Sequence, residues 1–85
     1  MEFNYTLGID LNHSIGRILG IISKAGFDII GHNVVAGRLA INTNSPLNPK
    51  EVTTTLYNLS VENQFGKISF QYPGNDQIFS VGENV

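Results

Sequence analysis

The stretch FDIIGHNVVAGRLAINT, residues 27–43, decides the fold of this chain. Phe27 to Val35 and Arg38 to Thr43 each read as a β-strand, rich in apolar and β-branched residues. Only Ala36-Gly37 lies between them, which is short enough for a tight hairpin, with Gly37 supplying the positive φ that such turns need. The segments on both sides of this hairpin carry helical periodicity, so it sits at the middle of the chain as the link between two βαβ units.

Toward the N-terminus, Phe3, Tyr5, Leu7, Ile9 and Leu11 alternate with Glu2, Asn4, Thr6, Gly8 and Asp10. That period of two predicts a strand with one buried face. Asn12-His13-Ser14 interrupts it, and beyond the break Ile15, Ile18, Leu19, Ile22 and Ala25 take the spacing of an amphipathic helix. Asn12 or Ser14 can cap this helix, and Gly26 can close it in the left-handed conformation. Gly16 and Gly20 lie one turn apart inside it. Each costs about 1 kcal/mol relative to Ala, so close approach to the sheet or to a second chain is their expected use.

Toward the C-terminus, Asn48-Pro49-Lys50-Glu51 combines an N-cap, a proline at the first helical position and a glutamate at the third. Val52, Leu56 and Leu59 continue as an apolar stripe, although the run Thr53-Thr54-Thr55 makes this helix depend on packing. Ile68, Phe70 and Tyr72 alternate in a fourth strand, 73–76 reads as a turn, and Gln77 to Val81 can add a short fifth strand. The order strand, helix, strand, strand, helix, strand predicts an α+β, ferredoxin-like βαββαβ fold: a four-stranded antiparallel sheet with two helices on one face. One domain spans residues 1–85, with its core at about 3–72 and a C-terminal extension at 73–85. With Leu39, Ile41, Ile68 and Phe70 in its strands, such a sheet leaves edges and a face to cover, and a homodimer or larger assembly is expected.

Composition narrows the functional classes. The 85 residues are 41% hydrophobic and 14% charged, outside the range of a disordered tail. The chain has no cysteine, which removes disulfides, iron–sulfur clusters and thiolate zinc sites. Five scattered basic residues and a net charge of −2 do not supply the phosphate contacts that nucleic-acid binding needs. Gly16, Arg17, Gly20, Ser23 and Lys24 break the longest apolar stretch, and no membrane span is expected. Met-Glu-Phe-Asn-Tyr has no basic segment followed by an apolar one, so no signal peptide is expected and the location expected is cytoplasmic. Two histidines and seven scattered acids show no metal-ligand spacing, and no cofactor, metal or catalytic residue is assigned.

Among ferredoxin-like families, an RNA-recognition motif would need aromatic and basic residues where Arg38-Leu39-Ala40-Ile41 stands. A metallochaperone would need a Cys-x-x-Cys, and an acylphosphatase an arginine cradle in the first loop. From Tyr5 to about Asn33 the chain instead resembles an ACT domain, the small-molecule-sensing module of amino-acid metabolism. Ile15, Ile18 and Ile21 take the family's three apolar helix positions, His13 falls at its loop glycine, and Gly26-Phe27-Asp28-Ile29 matches the start of its second strand. The run Ser23-Lys24-Ala25-Gly26-Phe27-Asp28-Ile29, with the single-domain length, is most similar to the small regulatory subunits of acetolactate synthase.

The resemblance implies a non-catalytic regulatory or assembly subunit in branched-chain amino acid biosynthesis. Its partners would be a second copy and a large thiamine-diphosphate catalytic subunit. It also implies an amino-acid ligand held between two domains, beside the first loop and the start of the first helix. A helix N-terminus suits a carboxylate, since its amides are unpaired and its dipole end is positive. The residues carried over as ligand-binding are Asp10, Asn12, His13, Ser14, Ile15 and Asp28. Asp10 and Asp28 stand where amino-acid-binding members often have asparagine; two carboxylates there would favour an ammonium and repel a carboxylate. Other readings are an ACT-like sensor or dimerisation module for another enzyme, and a phosphocarrier using His13. For the phosphocarrier, Arg17 stands four residues on rather than two, and the Gly-x-His-Ala-Arg-Pro context is absent.

Overall fold

The computed structural model describes residues 2–72 and 74–82. It is an α+β structure with the order β1 (Phe3–Asp10), α1 (Ile15–Lys24), β2 (Asp28–Val35), β3 (Arg38–Ser45), α2 (Pro49–Asn63), β4 (Ile68–Gln71) and β5 (Phe79–Val81). The strands form one antiparallel sheet in the order β2-β3-β1-β4-β5.

The expected four-stranded ferredoxin-like sheet is therefore corrected to a five-stranded one. β5 lies within the C-terminal extension and pairs with the outer edge of β4, Phe70 opposite Phe79 and Ile68 opposite Val81. Aromatic packing holds it there. The Phe79 ring stacks on Phe70 at 5.4 Å between centroids and on Tyr72 at 5.9 Å. The turn expected at 73–76 includes Pro73, which lies outside the described residues; next to it, the Asn75 amide donates to the Tyr72 carbonyl at 3.3 Å.

Alternation sorts the sheet into two unlike faces. Tyr5, Leu7, Ile9, Leu39, Ile41, Ile68 and Phe70 all point to one side and are buried. They join Ile18 and Ile22 of α1, Val52 and Leu56 of α2, and the flanking Phe27 and Phe65 in a single core. Both helices thus cover the same face. Each such side chain contributes about 1.5–3 kcal/mol by leaving water. Leu39, Ile41, Ile68 and Phe70 leave no apolar face to cover, contrary to expectation, because the helices already cover it. The opposite face is polar: Asn4 stands across from Asn44, Thr6 from Asn42 and Gln71, and Asp10 from Arg38.

Local signals read from the sequence act as expected at the element ends. Asn48 caps α2 with the reciprocal Glu51 contact of a capping box, and Pro49 opens the helix. Val35 pairs with Arg38, so Ala36-Gly37 is a two-residue turn. Both turn residues have positive φ, +52° and +76°. At Ala36 this conformation costs about 1–2 kcal/mol, since its Cβ crowds the following carbonyl. Gly16 and Gly20 do not approach the sheet: both are exposed, with no atom of another part of the described residues within 4 Å of where a Cβ would stand.

Candidate functional site

The first loop runs from the end of β1 to the N-terminus of α1, and backbone bonds hold its path. The Leu11 amide donates to the Gly37 carbonyl at 3.2 Å, which ties the loop to the β2–β3 hairpin. The Asn12 amide turns back on the Asp10 carbonyl at 2.9 Å. Of the two capping candidates the structure uses Ser14, whose Oγ accepts from the Arg17 amide at 3.3 Å. Ile15 opens the helix, half-buried against the core.

His13 is anchored rather than free. Its Nε2 lies 3.3 Å from the Gln64 carbonyl, to which it donates as the Nε2–H tautomer, and its ring meets Phe65 edge-on at 5.4 Å. Gln64 follows α2 in the left-handed conformation, with φ +58°. The residue after it, Phe65, is completely buried. The loop is thereby clamped onto the far end of α2.

Asp10 is also engaged. It forms an ion pair with Arg38, whose Nη2 donates to the Gly8 carbonyl at 2.9 Å. Gly8 makes that approach possible, because a Cβ there would lie 2.6 Å from Ser69 Oγ and 3.3 Å from Arg38 Nη2. The pair is partly exposed, so it contributes about 0–1 kcal/mol. Its larger effect is on charge, since a paired carboxylate repels an incoming anion less than a lone one does.

The structure thus brings Asp10, Asn12, His13, Ser14 and Ile15 to one end of the molecule and leaves Asp28 apart. Asp28 pairs with Asn44, whereas Asp10 pairs with Arg38. Six residues along β3 separate these positions, roughly 20 Å of strand. Within one copy, Asp10 and Asp28 cannot hold the same small ligand.

Beside the loop lies a groove of about 390 Å³ lined by Asn12, Ser60, Val61, Gln64 and Gly66. Its far wall was not read from the sequence. Ser60 is a mostly buried polar residue whose Oγ donates to the Gly66 carbonyl. The one sequence signal for this wall is the pair Phe65-Gly66 between the second helical stripe and the fourth strand. An aromatic followed by glycine there marks a chain that turns inward before the strand starts. Among the described residues, no three His, Asp or Glu side chains stand close enough to hold a metal ion, and no helix is long and apolar enough to cross a membrane. The acidity of Tyr5 is displaced. Burial, then the charges of Tyr72 and Glu51, push its hydroxyl up to about 12, and it donates to the Leu47 carbonyl at 2.7 Å.

Comparison of the chain with protein-family models, with curated proteins and with solved structures finds no match in any of the three.

Proposed function

We propose that this chain is a non-catalytic regulatory or assembly subunit. In this reading it is an ACT-like domain similar to the small subunit of acetolactate synthase, with β1 to β4 and both helices as a ferredoxin-like unit extended by β5. The observation that carries the proposal is the groove between the first loop and the end of α2. The N-terminus of α1 opens at this loop and favours a carboxylate, while the last carbonyls of α2 favour an ammonium. An α-amino acid carries both charges. Because Arg38 balances Asp10, the repulsion that two bare carboxylates would exert on such a ligand is reduced. The assembly expected is a cytoplasmic homodimer that docks on a large thiamine-diphosphate enzyme.

A thermal-shift screen of the purified chain against the branched-chain and other amino acids tests the ligand, since binding to the folded state raises Tm. The expected result is a rise with one amino acid that changes in His13→Gly, which releases the clamp on Gln64. No rise with any amino acid, in either protein, overturns the sensor reading. The assembly role stands separately on the outer edge of β2, unpaired among the described residues, and co-purification of a large subunit from the source cells tests it.

A further inference from the structure

We propose that the hollow between the start of β1 and the connection from β4 to β5 is a binding site for a guanidinium group, presented by a small molecule or by an arginine side chain. It opens on the polar face of the sheet, has a volume of about 270 Å³, and its lining includes Asn4, Thr6, Gln71, Tyr72, Asn75 and Asp76. Six residues of β1, roughly 20 Å of strand, separate Asn4 from Asp10 at the first loop. The inference therefore does not rest on the reading above or on its ligand.

Hydrogen-bond accounting sets the polarity of this hollow. A side-chain amide has a donating end and an accepting end, and a bond to the backbone fixes which is which. Asn4 Nδ2 donates to the Thr43 carbonyl at 3.0 Å, with Asn42 Oδ1 at 2.9 Å and Asn44 Oδ1 at 3.3 Å also beside it. Gln71 Nε2 donates to the Asn75 carbonyl at 3.3 Å. Asn75 is engaged at both ends: its Oδ1 accepts from the Gln77 amide at 2.8 Å, and its Nδ2 donates to the Tyr72 hydroxyl at 3.1 Å. The amide donors are thus used within the protein. Among the described residues, Asn4 Oδ1, Gln71 Oε1 and the carboxylate of Asp76 receive no hydrogen bond, and no lysine, arginine or histidine lines the hollow.

A wall of acceptors with one negative charge selects its ligand. It repels an anion and calls for a cation rich in N–H donors. A hard metal ion fits poorly, since calcium draws on six to eight oxygens and usually on several carboxylates. Here one carboxylate stands with two amides, and no three His, Asp or Glu side chains come together among the described residues. A guanidinium group has five N–H donors in one plane and no acceptor, and it pairs with a carboxylate through two parallel bonds. Two of its donors suit Asp76, and three are left for Asn4 Oδ1, Gln71 Oε1 and the Thr6 hydroxyl. An ammonium has only three in all. Because the backbone already holds Asn4 and Gln71, binding orders few side chains.

An NMR titration of the amides of the whole chain with ethylguanidinium chloride tests the site. Saturable shifts are expected at Thr6, Gln71, Asn75 and Asp76, with weaker binding of n-butylammonium and none of tetramethylammonium, which carries the charge without an N–H donor. Asp76 is exposed between β4 and β5, so Asp76→Asn should leave the fold intact and weaken binding about tenfold or more by removing the charged partner. Gln71→Lys, which sets an ammonium in the hollow, should abolish it. No shifts at these amides, equal binding of tetramethylammonium or calcium chloride, or unchanged affinity in Asp76→Asn overturns the proposal. Arginine blocked at both ends of its backbone separates the two sources. Binding at least as tight as that of ethylguanidinium assigns the site to an arginine side chain of a partner chain, and weaker binding assigns it to a small molecule. An amino-acid thermal shift without guanidinium binding would sink this site and leave the sensor, and the opposite pair of results would do the reverse.

Discussion

The two edges of the sheet are built on opposite plans. At one edge the chain returns after β4 and lays three residues of β5 against it, held by the Phe70–Phe79–Tyr72 stack. At the other, eight residues of β2 run along the border with nothing beyond them among the described residues. The first edge is closed by packing within the chain. The second is held in place by its hairpin to β3, while most of its side chains face water. Stability should therefore be concentrated near β5, and tolerance to substitution near β2.

The largest effect expected from this contrast is at Phe79. Phe79→Ala removes both stacking partners and part of the cover over Phe70, and should cost about 2–3 kcal/mol in urea unfolding. An unchanged midpoint would show that β5 contributes little and that both edges are equally open. The same aromatic string reaches inward to Tyr5, whose ring meets Phe70 and Tyr72 edge-on. Its hydroxyl holds its proton more tightly in the folded state, with a value of about 12 against an ordinary 10. Stability from this group is thus fully present below pH 10 and is lost as the pH rises toward 12. Tyr5→Phe should flatten that alkaline loss, and an identical pH profile would break the assignment.

Gly8→Ala tests the middle of the sheet. A methyl group there presses on Ser69 Oγ and Arg38, and should cost about 1–2 kcal/mol and loosen the Arg38–Asp10 pair. Urea unfolding with and without 0.5 M-scale salt would separate the steric part from the ionic one, because salt screens only the latter. The smallest effect is expected at the open edge: Val35→Lys should change the stability of a single copy by no more than about 0.5 kcal/mol. A larger loss would mean that β2 is packed by something other than β3.

The sequence made the strands and helices legible where one local pattern sufficed. The alternation from Phe3 to Leu11, the Asn48–Glu51 cap and the Ala36-Gly37 turn each fix an element without help from distant residues. The polarity of the open face was also present, in Asn4, Thr6, Asn42 and Asn44, but reading it requires the register that sets those residues side by side. β5 was harder to read, since three residues carry little periodicity and the strand depends on Phe70 and Tyr72 for its place. The site was legible only in its loop. Asn12, His13 and Ser14 stood out as a break between two periodicities, whereas the residues that clamp His13, Gln64 and Phe65, lie fifty positions away and are joined to it only by the packing of α2. Asp10 and Arg38 likewise became a pair only once β1 and β3 were aligned.

The position of β1 bears on how the chain is made. It precedes the other strands of the sheet along the chain, yet it occupies the centre, with β3 on one side and β4 on the other, where Leu7 meets Phe70. The β2–β3 hairpin can close as soon as it leaves the ribosome, but Leu7 and Ile9 must wait for Phe70 and Ile68 of β4 before their second neighbour arrives. Such distant partnering slows folding, because the entropy of closing the long loop is lost before the contacts repay it. During that interval Leu7 and Ile9 lack the neighbour that pairs with their outer side, and a chaperone that shelters β1 would protect it from its fellows until Phe70 emerges.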